Sequence, residues 1–173
     1  MVILLYISSM ILVQNTWSTF TDVYETFSIK IPGEISLTQD KFMTNIGEIE
    51  VITYQCNPPE EDPNLRYVLQ EYDYPDNYFP QDSVELIRRV LETSMEEMAS
   101  KMSGKVDYSS SIEKDGYQGI LFRISNSKTK IIMKSKTYIV DGTYYSLQVY
   151  CKKNNGLNDE IDFFLDSFII LED

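Results

Sequence analysis

Carboxylates are the residues of this sequence most able to do chemistry, and one acidic group lies between positions 71 and 82. It consists of Glu71, Asp73, Asp76 and Asp82. Carboxylate oxygens bind Ca²⁺, but a calcium loop uses six to eight oxygen ligands and often a glycine that turns the chain. Segment 73–82 contains no glycine, and its spacing differs from the DxDxDG pattern. We therefore predict no metal site and no cofactor.

The composition also restricts catalysis, because the chain has no histidine and only two cysteines. Ser-His-Asp and Cys-His nucleophiles, histidine bases, and histidine-ligated or four-thiolate zinc sites are excluded. A carboxylate pair could still hydrolyse a substrate, but it needs a fixed separation, and 27 acidic residues produce many accidental pairs. We predict a protein that is not an enzyme and has no catalytic residue, with a carboxylate-dependent hydrolase as an alternative.

The net charge of −12 narrows the class of partner. A chain this acidic repels the phosphates of nucleic acid and the surface of an anionic membrane. The charge serves solubility, or it forms a docking face for a basic partner or for divalent cations. We therefore expect a protein partner and no nucleic acid.

The acidic group is also rich in aromatic and proline residues, which gives the segment EYDYPDNYFPQDSVELI, residues 71–87, two interpretations. In the first it joins a strand to a helix, with Pro75 and Pro80 ending the strand and Asp82 capping the helix. In the second it is a partner-binding surface of exposed aromatic side chains. The residues of that possible surface are Tyr72, Tyr74, Tyr78 and Phe79. A further acidic run, residues 60–62, is expected to be a solvated loop.

The N-terminus is apolar over residues 1–13 and becomes polar at 14–16. The apolar run is too short to span a bilayer as a helix but has the length of a signal-peptide core, although no Lys or Arg precedes it. We predict that residues 1–20 are a signal peptide or a disordered segment, that cleavage falls within 15–22, and that residues 21–173 form one domain. The mature chain would be periplasmic or secreted, with no stable membrane span. A buried first strand or helix is the alternative.

Export affects how the two cysteines are interpreted. Cys56 and Cys151 would meet an oxidising environment, in which an even pair can form a disulfide. Each cysteine, however, ends an apolar strand, so two unpaired buried thiols fit equally well. The sequence leaves both alternatives open.

One long helix is predicted over residues 82–102. Apolar residues recur at spacings of three and four, with Asp82 as the N-cap and Gly104 as the C-cap glycine. The apolar stripe consists of Val84, Ile87, Leu91, Met95, Met98 and Met102. The methionines are expected to fill the core, or to line a ligand pocket between the helix and a sheet.

The remaining segments predict an α+β fold. Strands are expected at 27–31, 34–38, 48–56, 65–74, 105–112, 117–125, 130–140, 143–152 and 167–171, with a short helix at 158–166. Turns at Asp115-Gly116, at 126–128 and at Asp141-Gly142 make the last long strands an antiparallel meander. The prediction is a twisted antiparallel β-sheet with one face covered by one long and one short helix, and with a solvated second face.

The order of these segments resembles the Mog/PsbP-like fold class over residues 25–171. The resemblance rests on FSIKIPG, TNIGEIEVITY, YVLQEYDYP, KVDYSSSIEKD, GYQGILFRI, DGTYYSLQVYC and FLDSFII. It implies an antiparallel sheet sandwiched by helices and a non-enzymatic role. Plant photosystem members of the class are extrinsic assembly and stabilising subunits that help retain ions, and nuclear members bind a small GTPase. The metal sites of the plant members rely partly on histidine, which this chain lacks.

The leading functional hypothesis is therefore an exported, monomeric, non-enzymatic accessory or binding protein. It would act through contacts with a protein or an envelope component. The alternatives are the hydrolase and a small apolar-ligand carrier with a pocket under Met95, Met98 and Met102.

Overall fold

The computed structural model of the chain describes residues 17–44, 46–75, 78–80 and 83–171. Two α-helices lie in this part of the chain, α1 at Val84–Lys101 and α2 at Asp159–Asp166. The strands are β1 Ser18–Thr21, β2 Phe27–Ile31, β3 Ile35–Thr44, β4 Gly47–Cys56, β5 Asn64–Asp73, β6 Lys105–Lys114, β7 Tyr117–Asn126, β8 Ile131–Val140, β9 Thr143–Lys152 and β10 Ile169–Ile170.

The large sheet has seven antiparallel strands in the order β3-β4-β5-β9-β8-β7-β6. The predicted meander is confirmed, β4 and β5 form an antiparallel hairpin, and β5 pairs with β9 to join the two. Two of the reversals are Asp-Gly turns with positive φ at both residues: 51° and 84° at 115–116, and 47° and 96° at 141–142. This is the turn geometry that suits the twist of a two-residue hairpin.

The two helices pack on opposite faces of the large sheet, which corrects the prediction that both lie on one face. Helix α1 packs on β6, β7 and β8, whereas α2 and a small sheet of order β1-β2-β10 cover the opposite face. Side chains alternate along a strand, so Met133 of β8 faces α1 and Ile132 faces the small sheet. Lys134 and Lys136 of β8 lie on the α2 side and form ion pairs with acidic residues of α2, so the second face is not solvated there.

The start of the fold also differs from the prediction. Strand β1 pairs with β2 from Ser18 to Thr21, and the Trp17 ring lies edge-on to Tyr67 with 5.4 Å between centroids. The domain therefore includes residues 17–20, which the sequence assigned to the N-terminal segment. Residues 1–16, with most of the predicted signal peptide, lie outside the described residues.

Strand β3 is twice as long as the strand predicted at 34–38. Its residues are exposed from position 36 to position 43 because it forms one edge of the large sheet. A strand that buries neither face need not alternate apolar and polar residues, so the pattern gave no sign of the second half of β3.

The acidic run at 60–62 is only partly a solvated loop. Asp62 is 8% exposed, and its carboxylate accepts hydrogen bonds from the Tyr67 hydroxyl at 3.0 Å and the Asn64 backbone N–H at 2.7 Å. Asn64 also exchanges side-chain hydrogen bonds with Asn158, the N-cap of α2. The hydrogen bonds between Asn64 and Asn158 tie the end of the loop to α2. Burial raises the pKa of Asp62.

The two cysteines are free and buried in the structure. Cys56 lies on β4 and Cys151 on β9, and β5 runs between these strands. Strands two positions apart are separated by about 10 Å, whereas the Cα atoms of a disulfide lie within about 7 Å. The bridge is therefore not formed in this fold, and burial raises the pKa of the Cys56 thiol to about 11.

Helix α1 ends in a Schellman motif, and this corrects the assignment of its C-terminus. Ser103 has the left-handed conformation, with φ of 48°, while Gly104 follows it and donates its N–H to the Ala99 carbonyl at 2.8 Å. Gly104 is required for space, because a Cβ there would lie 2.7 Å from Ile124 Cγ2. At the other end of the helix, the predicted N-cap Asp82 lies outside the described residues.

This geometry predicts opposite effects for two neighbouring substitutions. We expect Ser103→Gly to stabilise the protein by up to about 1 kcal/mol, because glycine adopts positive φ at lower cost. We expect Gly104→Ala to destabilise it by more than about 1 kcal/mol, because the added methyl group overpacks the contact with β7. Urea denaturation of both variants measures the two changes, and the reverse order of stability would contradict the assignment.

Candidate functional site

Three aromatic rings cluster in the segment between β5 and α1. Tyr74 and Tyr78 are stacked with 5.1 Å between ring centroids, and Phe79 lies edge-on to them at 5.1 and 4.9 Å. All three side chains are half-buried. They line an open hollow of about 730 Å³ whose other residues include Asp73 and Asp141. We call this feature the aromatic hollow.

The aromatic hollow has features of both interpretations of segment 71–87, the joint between strand and helix and the aromatic surface. Tyr74 and Phe79 pack against the core beneath α1, as a joint between strand and helix requires. Tyr72 is separated from the other three residues, because it lies edge-on to Tyr144 at 5.4 Å on the α1 side of the sheet. Three of the four predicted surface residues therefore come together, and their binding role stays a prediction.

A second cluster surrounds Glu71, which lies on the opposite side of the sheet from Tyr72. The hydroxyls of Tyr54 and Tyr145 donate to its carboxylate at 3.4 and 3.3 Å. Burial, followed by the charges of Asp73 and Asp22, raises the pKa of Glu71 to about 7. A carboxyl with this pKa suits proton transfer near neutral pH, so the hydrolase alternative would use Glu71.

The sequence indicated Glu71 only as one of the four carboxylates considered for a calcium loop. Asp76 and Asp82 lie outside the described residues. Asp73 accepts a hydrogen bond from Thr143 at 3.0 Å. Among the described residues, no three His, Cys, Asp or Glu side chains are placed to hold a metal ion. Tyr54 and Tyr145 come to Glu71 through the pairing of β4 and β9 with β5, which the sequence pattern does not specify.

A third feature is an open cleft of about 270 Å³ beside α1, which we call the polar cleft. It exists because α1 packs mainly on β6–β8 and leaves part of the same face of β4, β5 and β9 open. Its lining residues are Thr53, Gln55, Arg66, Val68, Gln70, Tyr72, Met98, Lys101, Met102, Met133, Gln148 and Tyr150.

The floor of the polar cleft is a hydrogen-bonded ladder across three strands. Gln148 donates to the Gln70 side-chain oxygen at 3.0 Å, and Gln70 donates to the Thr53 hydroxyl at 3.2 Å. The hydroxyls of Tyr72 and Tyr150 donate to the side-chain oxygens of Gln70 and Gln148 at 3.2 and 2.7 Å. Each of these side chains is thus held in one orientation by its neighbours.

The polar cleft lies where the apolar-carrier hypothesis placed a pocket, but its lining is different. Met98 and Met102 form part of one wall, whereas Met95 is 9% exposed and belongs to the core. Because glutamine, tyrosine, arginine and lysine side chains make up much of the remaining lining, the cleft does not suit an apolar ligand. An apolar cavity under the small sheet, lined by Phe27 among others, has a volume of only about 10 Å³.

Comparisons with known proteins identify the fold. The chain has the PsbP-like fold: it is similar to the solution structure of cyanobacterial PsbP from Synechocystis sp. PCC 6803, with a TM-score of 0.58 and 8% sequence identity over 94% of this chain and 97% of that chain. A crystal structure of a protein of unknown function from Pseudomonas aeruginosa is also similar, with a TM-score of 0.37 and 9% identity over 80% of this chain and 85% of that chain. No protein-family model and no curated protein matches the sequence.

The PsbP-like fold confirms the resemblance noted in the sequence. At 8% identity the likeness extends to the fold alone. Neither α1 nor α2 is both long enough and apolar enough to cross a membrane, as judged over the described residues.

The Glu71 cluster predicts a pH-dependent stability. Because the pKa of Glu71 is raised from its ordinary value of 4.5 to about 7 in the folded protein, the folded state binds a proton more tightly than the unfolded state. The free energy of unfolding should fall as the pH rises from about 4.5 to about 7. We expect Glu71→Gln to make this fall smaller by about 1 to 2 kcal/mol. This is less than the full pKa shift would give, because the carboxyl keeps part of its solvent contact.

Urea denaturation at pH 4.5 and pH 8 measures the difference for each variant. Glu34→Gln, which changes an exposed carboxylate between β2 and β3, is the matched control and should leave the difference unchanged. An identical pH dependence in Glu71→Gln and the unmodified protein would contradict the raised pKa.

Proposed function

We propose that this chain is an exported, non-enzymatic accessory or binding protein that contacts a protein partner through the aromatic hollow. The observation that carries the proposal is the half-exposed cluster of Tyr74, Tyr78 and Phe79 around an open depression. Tyrosine and phenylalanine are enriched at protein interfaces, because a rigid ring buries a large area at a low cost in conformational entropy. The rings are already held in place by one another, which lowers that cost further.

The charge of the aromatic hollow indicates the chemistry of the partner. Asp73 and Asp141 lie among its lining residues, and the whole chain carries a charge of −12. Faces of tyrosine rings attract Lys and Arg cations, and nearby carboxylates strengthen that preference. The partner surface would therefore present basic side chains, and the protein alone would be a monomer.

Export rests on the apolar N-terminal run, and the fold suggests a limit for the cleavage site. Trp17 packs edge-on against Tyr67 and Phe163, with 5.4 and 4.8 Å between ring centroids. Four backbone-paired residues of β1 follow it. A mature chain that keeps both β1 and the ring contacts of Trp17 must begin at or before residue 17, so the predicted start of the mature chain narrows from 15–22 to 15–17.

The first prediction of this proposal concerns processing. We expect the protein recovered from the extracytoplasmic fraction of its source cells to begin at or before Trp17 and after residue 14. N-terminal sequencing of that protein measures the start. Recovery of the chain in the cytoplasmic fraction with Met1 retained would reject export.

The second prediction concerns the partner. We expect Tyr78→Ala to weaken capture of a basic protein from native envelope extract by at least about tenfold, because central aromatic residues of an interface each contribute about 2 kcal/mol or more. Tyr78 is chosen for substitution because Tyr74 and Phe79 also pack against the core, so replacing either of them would disturb the fold. A pull-down with the mature chain as bait, quantified by mass spectrometry, measures the change.

Tyr24→Ala is the matched control, since Tyr24 is 77% exposed in the turn between β1 and β2. It should leave capture unchanged, and added salt should weaken capture by the unmodified chain. Capture that is equally strong with Tyr78→Ala would exclude the aromatic hollow as the binding surface.

A further inference from the structure

We propose that the polar cleft is a binding site for a small organic anion that carries a carboxylate and several hydroxyl groups, such as a sugar acid. This inference is independent of the protein partner proposed above, because the polar cleft and the aromatic hollow are separate depressions with no lining residue in common.

The first argument is the presence of two available cations. Arg66 of β5 lines the polar cleft from the sheet and Lys101 of α1 lines it from the helix. Among the described residues, neither has a carboxylate oxygen within 4.0 Å. The chain has 27 acidic residues for 15 basic ones, so two cations that share a cleft without acidic partners leave a local positive charge in an acidic molecule. That charge favours an anion.

The second argument is that Arg66 is held in place before any ligand binds. Its guanidinium carbon lies 4.2 Å from the centroid of the Tyr150 ring, which stabilises the cation by a cation–π contact. Tyr150 is itself fixed, since its hydroxyl donates to Gln148 at 2.7 Å. A guanidinium held over a ring keeps its planar set of N–H donors in one orientation. Two of these donors can then bind a carboxylate with two parallel hydrogen bonds.

The third argument is the polar floor next to the cations. Gln148 is 4% exposed and Gln70 is half-buried, and both take part in the ladder with Thr53. Amide and hydroxyl groups fixed by one another form a preorganised surface for ligand hydroxyls. The second lone pair of the Gln148 amide oxygen, the second N–H of the Gln70 amide and the hydroxyl of Thr53 allow further hydrogen bonds.

Size and charge distribution complete the assignment. A volume of about 270 Å³ lies just below the range typical of small-molecule pockets. The pKa of Tyr72 is raised mainly by burial, with smaller contributions from Tyr150 and from the negative charge of Glu97, which acts at the Tyr72 end of the cleft. The ligand carboxylate should therefore lie at the Arg66 and Lys101 end, with its hydroxyls toward Gln70 and Tyr72. Met98 and Met102 are flexible side chains that can adapt the wall to the ligand.

The test is an NMR titration of the ¹⁵N-labelled mature chain with D-glucuronate, with D-glucose as the neutral probe of matched shape. We expect glucuronate to shift the side-chain amide signals of Gln70 and Gln148 in a saturable way and glucose to bind at least tenfold more weakly. Arg66→Gln should weaken glucuronate binding at least tenfold, and Lys101→Gln should weaken it severalfold.

Arg89→Gln is the matched control, because it removes the same charge from an exposed position of α1 outside the lining of the cleft. It should leave glucuronate binding unchanged, and the backbone spectrum of each variant reports whether the fold is intact. The proposal is overturned if glucuronate causes no saturable shift, if glucose binds as tightly, or if Arg89→Gln weakens binding as much as Arg66→Gln in a folded protein.

Discussion

The pairing of β5 with β9 is the interaction on which the rest of the structure depends. It joins the hairpin unit β3-β4-β5 to the meander β6-β9 and so makes one seven-stranded sheet. The register places Leu69 opposite Leu147 at its centre, where both side chains are buried. The same register sets Glu71 opposite Tyr145 and Arg66 opposite Tyr150. A slip by one residue would move every one of these side chains to the other face.

Partial coverage of the large sheet explains where potential binding surfaces lie. One face is covered by α2 and the small sheet, and the other is covered by α1 mainly over β6, β7 and β8. The open strip between α1 and β4 carries glutamine, threonine and arginine beside Val68, and these polar side chains let it remain in contact with water. The aromatic hollow lies in the segment between the end of β5 and the N-terminus of α1. Both surfaces therefore follow from the path of the chain between β5 and β6.

A likeness in fold does not assign a function, because unrelated functions use the same architecture. The PsbP-like fold is built here without histidine and with a core rich in tyrosine and phenylalanine. Its buried polar groups serve several purposes. Asp62 binds Tyr67 and Asn64, and Asn64 links this segment to the N-cap of α2, whereas Gln148 and the half-buried Gln70 form the floor of a cleft. Such roles depend on neighbours from distant segments, so each site has to be argued from its own contacts.

The sequence by itself determined the local elements of this protein. Asp-Gly pairs specify their turns, because those two residues adopt positive φ at low cost, and the apolar spacing of three and four specifies α1. Only the tertiary structure decided which strands are neighbours, that the helices lie on opposite faces, that the two thiols stay apart, and that Asp62 is buried. These outcomes depend on contacts between residues far apart in the chain, such as Gln70 and Gln148, and a local pattern carries no information about such pairs. Strands β1 and β3 were missed or shortened for a related reason, since neither shows an alternation of buried and exposed positions.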